Sequence, residues 1–89
     1  MQAIEFRVIV PDEDATPAIL ARTYHRSVLP VVGRKARFDN RAFPGGTAWL
    51  MVTSVTRSPP HAAVRAERIP IETFLAAGWK RVRKEPPEP

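Results

Sequence analysis

The segment Arg34–Phe43 reads RKARFDNRAF and interleaves Arg34, Lys35, Arg37 and Arg41 with Phe38 and Phe43. Cations neutralise phosphates, a guanidinium grips two phosphate oxygens at once, and an exposed ring stacks on a base. The same mixture recurs at Trp79–Lys84 (WKRVRK), where Trp79 precedes Lys80, Arg81 and Arg83. A third group is Arg22, His25 and Arg26. If residues 17–28 are helical, Arg22 and Arg26 are like charges at i and i+4, which repel unless an anion joins them.

These residues form the candidate nucleic-acid site. Arg34, Lys35, Arg37 and Arg41 are the principal phosphate contacts, and Lys80, Arg81, Arg83, Arg22 and Arg26 support them. Phe38 or Trp79 is the stacking group if either is exposed. A plainer assignment competes. The chain has four Phe, two Trp and one Tyr, and a small core has first claim on its aromatic residues. The cations then belong to solvated faces and to an edge strand kept from aggregating by charge.

Acid–base catalysis finds few candidates. His25 and His61 are the two histidines, and with arginine such residues cleave RNA in small basic ribonucleases. Some small bacterial toxins share this size, charge and expected element order, but no nuclease spacing is present and the analogy carries no residue over. Nucleophile-elbow, phosphate-loop and dinucleotide-binding motifs are absent from the sequence. Pro44-Gly45-Gly46 reads as a turn. Asp12-Glu13-Asp14 lacks further oxygen ligands at calcium-loop spacing and suits a helix N-terminus. The expectation is a non-enzymatic protein without metal or cofactor.

Composition supports an anionic partner. Among 89 residues, 14 Lys+Arg face 9 Asp+Glu, for a formal charge of +5. Residues 16–84 alone carry +10, diluted by the acidic stretch before them and the Glu85/Glu88 tail after. A strongly basic domain is the electrostatic footprint of a nucleic-acid binder. Eleven of the 14 cations are Arg, and Pro is abundant. A GC-rich genome yields that bias without selection for binding. The absence of cysteine excludes disulfides and thiolate-ligated zinc. No leader or membrane-length apolar run is visible, so a cytoplasmic protein is expected.

The elements that must position these residues follow from periodicity. Ala3–Val10 alternates, with Ile4, Phe6, Val8 and Val10 on one face, and reads as a strand. Thr16-Pro17 reads as a cap and first helical residue, and Ile19, Leu20, Tyr24 and Val28 form a helical stripe over Pro17–Val28. Arg34–Phe38 is a short strand. Ala48–Arg57 begins apolar on both faces and reads as a strand buried on both sides. Ala62–Ile69 is a weaker strand pairing with it. Pro70–Ala77 is a short helix closed by Gly78, with Trp79 packing back on it. Trp79–Arg83 is a final strand.

The predicted fold is α+β, a β-rich single domain over residues 1–84 followed by a disordered Pro/Glu tail at 85–89. A curled antiparallel sheet or small barrel of four or five strands carries one main helix and a short second helix, in the order β-α-β-β-β-α-β. The predicted core is Ile4, Phe6, Val8, Ile19, Leu20, Tyr24, Leu50, Val52, Val55 and Ile69. The leading function is binding to nucleic acid or a nucleoprotein complex. The alternative is a protein–protein module, such as a phage or mobile-element accessory or inhibitor. A ribonuclease-type toxin is third.

Overall fold

A computed structural model describes residues 1–11 and 16–82. The acidic triplet Asp12-Glu13-Asp14, Arg83, Lys84 and the Pro/Glu tail lie outside the described residues. Among the described residues, six strands, β1 (Gln2–Val10), β2 (Ala18–Arg26), β3 (Lys35–Asp39), β4 (Thr47–Arg57), β5 (Pro60–Arg65) and β6 (Lys80–Arg81), accompany one α-helix, α1 (Ile71–Ala76), and a 3-10 turn at Pro44–Gly46. They form one sheet in the order β3-β4-β5-β1-β2-β6. The sheet curls into a half-barrel, and β1 meets β5 in parallel while the other neighbours are antiparallel.

The expected main helix at 17–28 is a strand. β2 pairs with β1 over its whole length, from Val10↔Ala18 to Gln2↔Arg26. Its inward face reads Ala18, Leu20, Arg22, Tyr24 and Arg26, because their partners are the inward residues of β1. Two arginines on that face conceal the period-2 pattern, while Ile19 beside Leu20 imitates a helical stripe. Ile19, expected in the core, pairs with Ile9 on the outer face. The sheet is therefore mixed rather than antiparallel, with six strands rather than four or five and one short helix rather than two. The expected final strand is reduced to Lys80–Arg81.

The core fills the concave side. Ile4, Phe6, Val8, Leu20, Leu50 and Val52 are buried as expected, and Tyr24, Val55 and Ile69 pack partly buried against them. Phe38 and Trp79 join Phe6 and Tyr24 in an edge-to-face cluster. Ring centroids lie 4.9 Å apart for Phe6–Phe38 and 5.6 Å for Phe38–Trp79. Such pairs add about 0.5–1.5 kcal/mol each beyond area burial.

Helix α1 closes the concave side. Pro70 precedes it in extended geometry. At its other end the Gly78 amide donates to the Leu75 carbonyl (3.1 Å) and the Trp79 amide to that of Phe74 (3.0 Å). This is the Schellman arrangement that Gly78, at φ +92°, makes possible. It turns the Trp79 ring onto Phe74, with centroids 5.3 Å apart.

Candidate nucleic-acid interface

Alternation along the strands sorts the basic residues between two faces. Arg22 and Arg26, four apart on a strand, share the concave face with Tyr24 between them. Arg22 donates from Nη1 to the Ala77 carbonyl at the end of α1, where Asn40 Nδ2 also donates at 3.2 Å. A cation there meets the negative end of the helix. Arg26 donates from Nη2 to the backbone carbonyl of Arg37 at 2.7 Å. Its guanidinium lies 5.2–5.7 Å from the ring centroids of Phe6, Tyr24 and Phe38. These two arginines tie the mouth of the half-barrel together, and the helical i, i+4 repulsion expected for them does not arise.

The neighbouring phenol is buried as well. Burial pushes the Tyr24 hydroxyl above its ordinary value of 10.0, and the Arg22 charge offsets part of the rise. The Tyr24 hydroxyl and Trp79 Nε1 are both buried without a well-formed hydrogen bond, although Trp79 and Arg22 stand close enough to the phenol to temper its rise.

Phe38 and Trp79 are 0 % and 1 % exposed, so neither offers a ring for stacking. Sequence reasoning missed Trp49. It is 55 % exposed on the outer face of β4, opposite Arg37 in the β3–β4 ladder. The Arg37 guanidinium lies 5.9 Å from the centre of its ring. The signal was in the sequence: Trp49 alternates with Ala48 and Leu50, both inward. The apolar run TAWLM led to the expectation of burial on both sides, yet its outer side is open.

The register builds a row of residues across that outer face. Lys35 pairs with Met51. Met51 precedes Val52, whose partner Val64 precedes Arg65. Arg65 pairs with Ile9, and Ile9 with Ile19. The adjoining row holds Ala63, Arg7, Ala21 and Lys80, the last two paired across β2 and β6. The outer face is an apolar band of Trp49, Met51, Ile9 and Ile19, studded with Lys35, Arg37, Arg65, Arg7 and Lys80. Ion pairs with acids temper it. Glu5 accepts from Arg7 Nε at 2.5 Å. Asp39 accepts from Arg37 Nε at 2.9 Å and from the Thr47 hydroxyl at 3.0 Å, contacts that hold its carboxyl below the ordinary value of 3.8.

The expected basic residues thus divide. Lys35, Arg37 and Lys80 share the outer face. Arg34 and Arg41 are exposed in the turns that bracket β3 at its two ends. Arg34 and Arg41 therefore stand at opposite ends of β3. Arg81, on β6, pairs with Leu20 of β2. Arg7 and Arg65, not expected from the sequence, complete the outer set.

His25 and His61 occupy the same face on the two strands that flank β1, opposite Ala3 and Glu5. Two strand spacings, about 10 Å, separate them across the sheet. His61 Nδ1 lies 3.2 Å from the Pro59 carbonyl. Among the described residues no group of three or more His, Asp or Glu is arranged to hold a metal ion. No helix among them is long and apolar enough to cross a membrane. No protein-family model, curated protein or solved structure matches the chain.

Proposed function

We propose that this protein binds single-stranded nucleic acid, without catalysis, on the outer face of its sheet. The observation that carries the reading is Trp49, exposed beside Arg37 on a face where Lys35, Arg65 and Arg7 surround an apolar band. A ring and cations on an open sheet suit splayed bases and a phosphate backbone, because stacking tolerates any base and charge follows the strand. A duplex hides its base faces, so single strands fit this surface better.

The two tryptophans make the test direct, since Trp49 is exposed and Trp79 buried. An oligo(dT) of about ten residues should quench Trp49 fluorescence. Trp49→Phe should abolish the signal, and log affinity should fall linearly with log salt. Absence of binding at about 50 mM salt overturns the reading. Steady loss of intact RNA, abolished by His25→Ala or His61→Ala, would instead promote the ribonuclease reading.

A second reading rests on a different surface. Val28, Val31 and Val32, in the segment between β2 and β3, are 73 %, 57 % and 56 % exposed. Aliphatic groups gathered in one segment suit a protein partner better than a polyanion. If oligonucleotides fail to bind, this segment becomes the leading surface. Val31→Asp with Val32→Asp should then abolish association with the partner while leaving the fold intact.

A further inference from the structure

An open groove of about 540 Å³ lies on the outer face where β4, β5, β1 and β2 run side by side. Ile9, Ile19 and Ala63 form an apolar floor, Arg7 and Arg65 supply guanidinium groups, and Glu67 stands at the rim. The Arg7 Nε is engaged by Glu5, which leaves its terminal nitrogens available. Glu67 lies in a tight turn closed by the Ile69 amide donating to the Ala66 carbonyl at 3.0 Å. Its φ is +50° and that of Arg68 is +65°. Side chains other than glycine and asparagine rarely adopt that backbone. Such outliers gather at binding sites, where surrounding structure holds them. Here the turn places Glu67 on this groove and Arg68 on a separate hollow beside Pro11 and Pro70.

We infer that this groove takes a guanine base, recognised by Glu67 together with Arg65 and Arg7. The inference rests on the reading of the outer face as a single-strand surface, and names the base it selects. A carboxylate accepts hydrogen bonds only, and a guanidinium donates only. Guanine is the base that presents two adjacent donors, N1–H and N2–H, on one edge and two adjacent acceptors, O6 and N7, on another. Adenine and cytosine offer a single amino donor beside an acceptor that would face the carboxylate. Uracil and thymine offer one imide N–H between two carbonyls that would repel it. The apolar floor suits the base plane, and the Arg65 guanidinium, with the terminal nitrogens of Arg7, suits the attached phosphate. Thr53, on the groove, is four residues along β4 from Trp49, about 13 Å, so one strand stacked on Trp49 also reaches this groove.

The test is amide NMR of the full chain titrated separately with GMP, AMP, CMP and UMP. GMP should shift Arg65, Ala66 and Glu67 at concentrations about tenfold lower than the other three, as expected of one paired set of base contacts. Glu67→Gln puts an amide donor against the guanine donors. It should remove the preference while oligo(dT) still quenches Trp49. Equal response to all four nucleotides, shifts confined to other residues, or an unchanged preference in Glu67→Gln would overturn the assignment. In each of those cases Trp49 quenching by oligo(dT) reports separately on the outer-face reading. A GMP preference without any oligo(dT) binding would leave the groove standing and the single-strand reading refuted.

Discussion

Arg26 on β2 donates to the backbone carbonyl of Arg37 on β3 at 2.7 Å, joining two strands that share no ladder in the sheet. The half-barrel is thus closed by a side chain where a full barrel would use backbone pairing. The same guanidinium covers the rings of Phe6, Tyr24 and Phe38. Arg26→Ala should lower stability by about 1–3 kcal/mol, combining a lost charge-assisted hydrogen bond with lost contact over the rings. Arg26→Lys should recover only part of it, since an ammonium does not lie flat on them. Urea unfolding measures both, and an Arg26→Ala midpoint equal to that of the parent would show that the seam carries no stability.

Gly78 is fixed by two independent demands. Its φ of +92° excludes ordinary side chains, and an added Cβ would stand 2.8 Å from Arg22 Nη1. That arginine can move, but only by releasing the Ala77 carbonyl at the end of α1. Gly78→Ala should cost about 1–3 kcal/mol, read as a lower melting temperature. Pairing it with Arg22→Ala should yield less than the sum of the two single losses, because both act on one contact.

Removing the Tyr24 hydroxyl should not harm the fold. The group is buried without a well-formed hydrogen bond, so Tyr24→Phe discards a desolvation cost while keeping the ring contacts. The melting temperature at neutral pH should be unchanged or higher. The phenol is raised above 10.0 in the folded state, so the folded protein keeps its proton where the unfolded chain loses it. Stability should therefore be fully present below pH 10 and fall as pH climbs through the folded value. Tyr24→Phe should flatten that alkaline decline. An equally steep decline in the variant would assign it to other groups.

Asp39 titrates below 3.8, chiefly because Arg37 donates to it and secondarily because Thr47 does. A depressed carboxyl contributes stability above its unfolded value and loses it as pH falls through the folded one. Arg37→Ala should move the Asp39 midpoint, followed by carboxyl-carbon NMR, back up toward 3.8. Thr47→Val should move it by less. If the Arg37 variant leaves the midpoint in place, the ion pair is not what holds it down.

Legibility from sequence followed a simple physical division. β1 was plain because its alternation is unbroken, and α1 with Gly78 and Trp79 was plain because capping chemistry is local. β2 was concealed because Arg22 and Arg26 face inward, where apolar residues are expected. They are tolerated there because each guanidinium, lying over the Tyr24 ring between them, finds a carbonyl partner across the barrel. No local pattern contains those partners, which arrive from α1 and β3. The candidate site was legible in part for the same reason. Lys35 and Arg37 were found by composition. Arg7, Arg65 and Trp49 become neighbours only through register, the parallel β1–β5 pairing above all.

That pairing bears on how the molecule is made. β1 sits inside the sheet, between β5 and β2. On a ribosome it emerges ahead of β5 and cannot be enclosed until the roughly fifty residues from Val10 to Pro60 have followed, and such distant pairing is slow to form. Until then one whole margin of an apolar strand stands unpaired in the crowded cell. β1 is thus made early and paired on both sides late, which leaves the nascent protein open to chaperones that hold extended apolar segments.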